Sequence, residues 1–492
     1  MCQRPSRFVL GIAMLSAATA AAFSTGSAAG ADASGYLSEA AALSSGRLFH
    51  VDELADIANG HDPYLTSPLG WRPAGEERQA PTYPPGLPML MAVPHALFGI
   101  PGASGVVVVC AGITVAATGL IAARVAGSVA AVIAASLIAF TPVFLHQSIQ
   151  PMSDVPVTAF WMLCFLLLSR GGASDLPAGI ACAVAILIRP NLAPLAIVPL
   201  MLARRPIGFA APVAIAATGL AWLQWRWYGS PLQSGYGSAE ELFALANVAP
   251  NIARYSSWLI ATAPVFVLGL LGVIRVSGNR LVQGLLAFAF LVVGSYLAYA
   301  VFDEWSYLRF LLPAMAVMAV FAAGELAKWV DRWPVPARPL LLFVLVIGVA
   351  AHALWNARSM HTFRLADQLR RVSRVAALID EDVPPAAVLV AGEQSGAMRY
   401  YTGRPILRWE AASPESLAAS TAALERSRRP VYVVLDAWEE GLFRAKFAGV
   451  AAGALDWPPI LDAGTSHRTR LWKLSDRDKF LRGENLNTIR FP

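Results

Sequence analysis

Charge is scarce in this sequence. Only 14% of its 492 residues are Asp, Glu, Lys or Arg, against about 25% in soluble domains. Hydrophobic residues make up 56%, more than a globular core can hide. The shortage argues against the two or three soluble domains that length alone would suggest and places most of the chain in a bilayer. Cysteine is scarce too. Cys2, Cys110, Cys164 and Cys182 form no CxxC pair, and three of them lie within apolar runs, so neither a disulfide framework nor a cysteine metal site is expected. The net charge is +6, but no basic stripe with interleaved aromatics accompanies it, which argues against a nucleic-acid partner. No repeat relates the two halves, and no glycine pattern of a nucleotide site is present.

What the chain has in abundance is apolar runs of near-spanning length. They lie at 8–29, 104–123, 128–146, 155–169, 177–188, 192–203, 207–225, 258–274, 281–301, 307–324 and 340–355. The runs at 177–188 and 192–203 are short and flank Pro190. One kinked helix and two helices meeting at an outer turn are both open readings there. A further stretch, Tyr83 to Gly99, is short and interrupted by Pro84, Pro85, Pro88 and Pro94. The positive-inside rule decides its role. If it does not cross, every alternate gap is basic: Arg4/Arg7, Arg124, Arg170, Arg204/Arg205, Arg275/Arg280 and Lys328/Arg332/Arg338. It is therefore expected to be juxtamembrane or re-entrant.

Eleven spans follow, with the N-terminus in the cytoplasm and the C-terminus outside, as in a multi-pass protein of a bacterial cytoplasmic (inner) membrane. The expected domains are 1–355, with outer loops at 30–103 and 228–257, and an extracytoplasmic domain at 356–492. Arg4, Arg7, the run Phe8–Leu15 and the small residues Ala17–Ala22 also fit a cleavable signal peptide. Either way, Asp32 emerges outside.

In residues 31–43, Leu37, Ala40, Ala41 and Leu43 share one helical face, so a helix lying in the membrane interface is expected. Asp32 stands near its start, either as an N-cap or as a general base. Asp154 stands where a span re-enters the membrane, beside Pro151 and Pro156. It too is a cap or, given the cost of an acid at that boundary, a functional group. On the same aqueous side, the two carboxylates can supply a general base, a metal ligand, or both. Arg189 and Arg309 interrupt apolar sequence at outer span ends, against the positive-inside bias. Each needs a partner: a salt bridge (Asp303 or Glu304 for Arg309), lipid headgroups reached by snorkelling, or a phosphate held by the planar guanidinium.

Six segments come in order: Asp-Ala-Ser-Gly-Tyr-Leu-Ser-Glu-Ala (32–40), Tyr-Pro-Pro-Gly-Leu (83–87), Pro-Met-Ser-Asp-Val-Pro (151–156), Leu-Ile-Arg-Pro (187–190), Tyr-Gly-Ser-Pro-Leu-Gln-Ser-Gly-Tyr-Gly (228–237) and Tyr-Leu-Arg-Phe-Leu-Leu-Pro (307–313). Together, over roughly residues 8–355, the chain resembles the GT-C membrane glycosyltransferases, in the branch of family-39-like and lipopolysaccharide-core transferases. The resemblance implies a GT-C-like helical membrane fold and a polyprenyl-phosphate-sugar donor. It further implies an acceptor hydroxyl on an envelope glycan, lipid or protein, and a divalent cation, Mg or Mn, at Asp32 and Asp154. It casts Asp32 and Asp154 as catalytic, and Tyr36, Tyr83, Arg189, Tyr236, Tyr307 and Arg309 as substrate-binding.

Residues 356–492 change character. Segments 386–391 and 430–436 read as buried strands, and Ser413-Pro414-Glu415 opens a helix reaching Arg426, so a small α/β domain is expected. Glu393, Asp436, Glu439 and Glu440 are expected to be solvated, and residues 474–492 to fray. The domain is expected to shape acceptor access, and a chain ending near Arg358 to bind donor still. An O-antigen-ligase-like enzyme, a polytopic lipid or sugar transporter, and a membrane scaffold compete with the transferase. The transporter would bury charges mid-membrane.

Overall fold

The computed structural model describes residues 5–75, 77–273, 279–464 and 468–491. Two of the gap arginines, Arg4 and Arg275, fall outside them. The chain forms two compact units, each drawn from separated stretches: Met1–Ser24 with Pro84–Leu365, and Thr25–Tyr83 with Ala366–Pro492. Contacts thus divide the chain differently from 1–355 and 356–492: most of the first outer loop folds with the tail.

Each of the eleven apolar runs overlaps helix in the first unit, although residues 25–29 of the first run are non-helical and belong to the second. Among the described residues, five helices are long and apolar enough to cross a membrane: Gly86–Phe140, Pro206–Tyr228, Arg280–Leu297, Trp305–Asp331 and Val335–Ser359. Shorter apolar helices are Ser6–Ala22, Asp154–Leu168, Gly172–Ile188 and Pro190–Leu202, and the pair Leu245–Thr262 and Pro264–Leu270 is bent by 116°. The proline-interrupted stretch after Tyr83 opens the longest helix. Within its 55 residues, helical geometry breaks at Gly99 (φ 63°, ψ −148°) and Gly127 (φ 88°, ψ −176°). Only glycine takes such positive φ without strain, so this rod is three helices end to end.

Small residues let the helices approach closely. Ala130, Ala131, Ala134 and Ala135 of Gly86–Phe140 are fully buried, as are Ala316, Ala319, Ala322 and Ala323 of Leu312–Asp331, and these two helices pack on each other. By contrast, Ile207, Ile215, Leu340 and Phe343 on Pro206–Tyr228 and Val335–Ser359 are exposed, as suits helices facing lipid tails.

The second unit holds two sheets. Strands β1 (His50–Val51), β2 (Trp71–Pro73) and β3 (Arg78–Pro81) form an antiparallel sheet in the order β1-β3-β2. Strands β4 (Val388–Ala391), β5 (Ile406–Arg408), β6 (Val431–Asp436), β7 (Leu461–Ala463), β8 (Thr469–Lys473) and β9 (Ile489–Phe491) form the other, in the order β5-β4-β6-β8-β7-β9. Its strands β5, β4 and β6 run parallel and are buried on both faces, as parallel strands require. Val388, Val390, Val431 and Val433 feed one core, and Leu389, Ala391, Tyr432 and Val434 the other. First-loop residues complete both: Leu54 and Leu65 in the former, Ala29 in the latter.

Two expectations are corrected here. The polar end does not fray: Asp476–Leu481 is helical and β9 pairs with β7, because backbone hydrogen bonds need no apolar side chains. The Ala31–Ser44 helix is enclosed rather than lying in an interface. Its residues Ala33 to Ala40 are all buried, because Ala, Gly and Ser are small enough to be surrounded.

Candidate active site

In the first unit, Asp154 opens the Asp154–Leu168 helix, with Ser153 at the cap position and no side-chain capping bond. Its carboxylate is fully buried, which is costly unless it is paired and hydrogen-bonded. Arg189 supplies the pairing. It follows the Asp175–Ile188 helix directly, with extended backbone because Pro190 disfavours helical geometry in the residue before it. Its guanidinium donates to Asp154 Oδ1 at 2.5 Å, to the Tyr296 hydroxyl at 3.0 Å and to Ser153 Oγ at 3.4 Å. Asn191 Nδ2 donates to the same tyrosine hydroxyl at 3.1 Å.

Arg309 approaches from the other side, its Nη1 3.9 Å from Asp154 Oδ2. Its guanidinium carbon lies 4.9 Å from the Tyr307 ring centre and 5.3 Å from that of Phe310. Phe310 also stacks on Tyr296 at 5.1 Å and lies 5.2 Å from the Arg189 guanidinium. Tyr307 in turn stacks on Phe302 at 4.0 Å. One carboxylate and two guanidiniums therefore sit in an aromatic shell that favours planar cations. Asp303, the nearer acid in sequence, is instead taken by Arg254, whose Nε donates to it at 3.0 Å.

Three neighbours of this cluster escaped the sequence reading. Tyr296 and Asn191 hold Arg189. His146 lies edge-on to Trp305 at 5.1 Å, on the turn that carries Arg309, and its Nδ1 is buried with no hydrogen-bond partner among the described residues. An ionisable side chain at the end of an apolar run was the available signal for His146. Tyr296 and Asn191 gave none.

The second unit carries Asp32, Tyr36 and Tyr83. Asp32 lies in the first turn of its helix, whose cap position is Gly30, so the N-cap reading fails for it as for Asp154. The chain leaves β4 for β5 on one side and returns to β6 on the other, so the carboxyl ends of β4 and β6 form a topological switch point, the place where α/β sheets commonly bind ligands. Glu393 and Gln394 follow β4, and Asp436 ends β6. Burial, and then the nearby carboxylates of Glu410, Asp32 and Asp436, hold the Glu393 carboxyl above its usual range.

Asp436 and Glu439, expected to be solvated, are buried. Asp436 accepts from Thr469 and pairs with Arg371 at 3.1 Å. Glu439 accepts from the backbone N–H groups of Asp436 (2.9 Å) and Glu393 (3.0 Å) and from the Trp409 indole (3.3 Å). Burial nonetheless pushes Glu439 up to about 7. Glu440 is half-buried and pairs with Arg444 and Arg470. Tyr36 and Tyr83 are buried against each other, ring centres 4.8 Å apart. Tyr236 lies exposed in the turn Ser234–Gly237.

The structure thus gathers Asp154, Arg189, Arg309 and Tyr307 in one unit, and Asp32, Tyr36 and Tyr83 belong to the other. The Asp154 cluster carries a surplus positive charge and suits an anion with several oxygens. For the same reason it does not fit the expected Mg or Mn. One Asp154 oxygen is taken by Arg189 and the other faces Arg309, and among the described residues no three His, Cys, Asp or Glu side chains converge as a metal site.

No family model matches the sequence, and no curated protein matches it either. Solved structures do match in fold. The chain is similar to ArnT from Cupriavidus metallidurans bound to undecaprenyl phosphate, at 12% identity and a TM-score of 0.59, covering 95% of this chain and 97% of that one. It is also similar to the oligosaccharyltransferase of Archaeoglobus fulgidus tethered to an acceptor peptide, at 14% identity and a TM-score of 0.54, covering 91% and 71%. The same oligosaccharyltransferase in complex with Zn and sulfate matches at a TM-score of 0.53.

Proposed function

Given that the chain has a GT-C-like fold, we propose that it is an integral-membrane glycosyltransferase. It moves a sugar from a polyprenyl-phosphate-linked donor to an acceptor hydroxyl at the outer face of a bacterial cytoplasmic membrane. The observation that carries this reading is the buried Arg189–Asp154–Arg309 cluster, a preformed anion site in a helical membrane unit. A structural neighbour with bound undecaprenyl phosphate supports a lipid-phosphate donor.

In the proposed reaction, the acceptor oxygen attacks the anomeric carbon, the bond from that carbon to the phosphate oxygen breaks, and the electron pair leaves with the polyprenyl phosphate. Arg309 stabilises the charge that develops there. Arg189, locked by three hydrogen bonds, holds Asp154 so that the site need not reorganise during transfer. Asp32 takes the acceptor's proton.

The reading includes eleven spans, a cytoplasmic N-terminus and an outer tail-containing unit. Cysteine placed at Ser128, an exposed position beside the Gly127 break, should label from the cytoplasmic side, and labelling only from outside would overturn the topology. Profiling of lipid-linked sugars in a deletion strain tests the function. Accumulation of one polyprenyl-phosphate sugar is expected and names the donor. An unchanged profile, with an envelope glycan intact, would sink the reading.

A further inference from the structure

The helix carrying Asp32 lacks a cap of its own. Its cap residue is Gly30, which has no side chain to offer, yet the first N–H groups of any helix need acceptors. The backbone N–H of Gly30 donates to Gln394 Oε1 at 3.3 Å. The same side chain's Nε2 donates to Asp436 Oδ2 at 3.4 Å. Gln394 therefore bridges the start of the Asp32 helix and the carboxyl end of β6, and Asp436 is itself fixed by Thr469 and Arg371.

Further contacts hold the same stretch. Ala28 N–H donates to the Tyr401 hydroxyl at 2.8 Å, and Ser27 Oγ to the Leu369 carbonyl at 3.0 Å. Leu69 N–H donates to Ser395 Oγ at 3.1 Å. Gly396 approaches so closely that a Cβ there would lie 2.4 Å from Ser34 Oγ and 2.3 Å from the Leu69 carbonyl oxygen. Residues 27 to 34 are thus clamped by the tail, with Asp32 inside the clamp.

We infer that Gln394 is a positioning residue for sugar transfer: it fixes the first turn of the Asp32 helix against the end of β6, so that the Asp32 carboxylate is held in one orientation towards the acceptor hydroxyl. This inference rests on the reading of Asp32 as the base. It also gives the tail a part in the reaction that acceptor access alone does not describe. The raised Glu393 carboxyl, with Asp32 among the charges that raise it, is in keeping with proton handling at this end of the sheet.

The test uses the full-length protein. In Gln394→Ala, hydrogen exchange over residues 31–35 should speed up at least about tenfold, as local opening becomes easier. The kcat should fall about 10- to 100-fold, the scale of an ångström-size misplacement, with donor KM within about twofold of the parent. Gln394→Asn, which keeps an amide with both acceptor and donor on a shorter stem, should retain more protection and a higher kcat than Gln394→Ala. Unchanged exchange in Gln394→Ala would overturn the clamp whatever the enzyme does. Faster exchange with parental kcat, in a protein that Asp32→Asn inactivates, would overturn the positioning role alone. Parental kcat in Asp32→Asn would remove the base, and the inference with it.

Discussion

Around Asp154, two guanidiniums enclose one carboxylate, whereas around Glu393, Asp436 and Glu439 carboxyl groups gather with Arg371 as their close cation. The first arrangement is satisfied by ion pairing and leaves positive charge over, which suits a phosphate. The second is satisfied by backbone N–H groups, a hydroxyl, an indole and Arg371, and burial pushes its Glu439 carboxyl up to about 7, which suits acid–base work. Two regions rich in buried charge thus differ in kind, and the counter-groups, more than the carboxylates themselves, set the difference.

The sharpest way to separate them is Asp32→Asn, which should cut kcat about 10²- to 10⁴-fold and leave donor binding and melting temperature near those of the parent. Transfer above about a tenth of the parent's rate would break the division of labour. Asp154→Ala attacks the other region. It strands buried guanidiniums, so destabilisation of about 3–5 kcal/mol is expected, read as thermal unfolding in detergent. The double variant Asp154→Leu/Arg189→Met should recover part of that stability without recovering activity. A stable, active Asp154→Ala would show that the cluster is not coupled.

Arg309→Lys keeps the charge and loses the planar fork, and donor affinity should drop about tenfold in equilibrium binding; parental affinity would remove Arg309 from the donor site. Glu439 is tested through pH. Its carboxyl goes from an ordinary value of 4.5 to about 7 on folding, so the folded state binds that proton more tightly. The stability this gives is full below 4.5 and lost as pH rises through about 7. Against Glu439→Gln, the parent's melting temperature should therefore fall further across that window, and parallel curves would refute the assignment.

Much of the helical unit was legible because its signal is local. Apolar runs mark helices wherever they stand, and Arg189 and Arg309 stood out because charge in apolar sequence is costly. Their common partner was not legible. Arg189 meets Asp154 across 35 residues, and Asp303, closer in sequence to Arg309, is taken by Arg254. The tail's strands were readable from runs such as Val431–Asp436, but burial of Asp436 and Glu439 was not, since nothing in their sequence announces the N–H groups that receive them. Least legible was the union of first loop and tail. Ala29, Leu54 and Leu65 complete cores whose other members lie beyond residue 365. A chain cut near Arg358 would bare them, so it is no neutral probe of donor binding.

That union also sets a clock. The hydrogen bonds that seat the Asp32 segment close across 342 to 373 residues. At the usual pace of synthesis, the helix leaves the ribosome roughly 20 to 70 s before its seat does. In the proposed reaction, nascent chains would expose Asp32 during that interval without the groups that orient it, and they should be inactive. Loss of Ala366–Pro492, about a quarter of the chain, would return a mature molecule to that state, so on the proposed reading transfer activity would report a tail that has been made and kept.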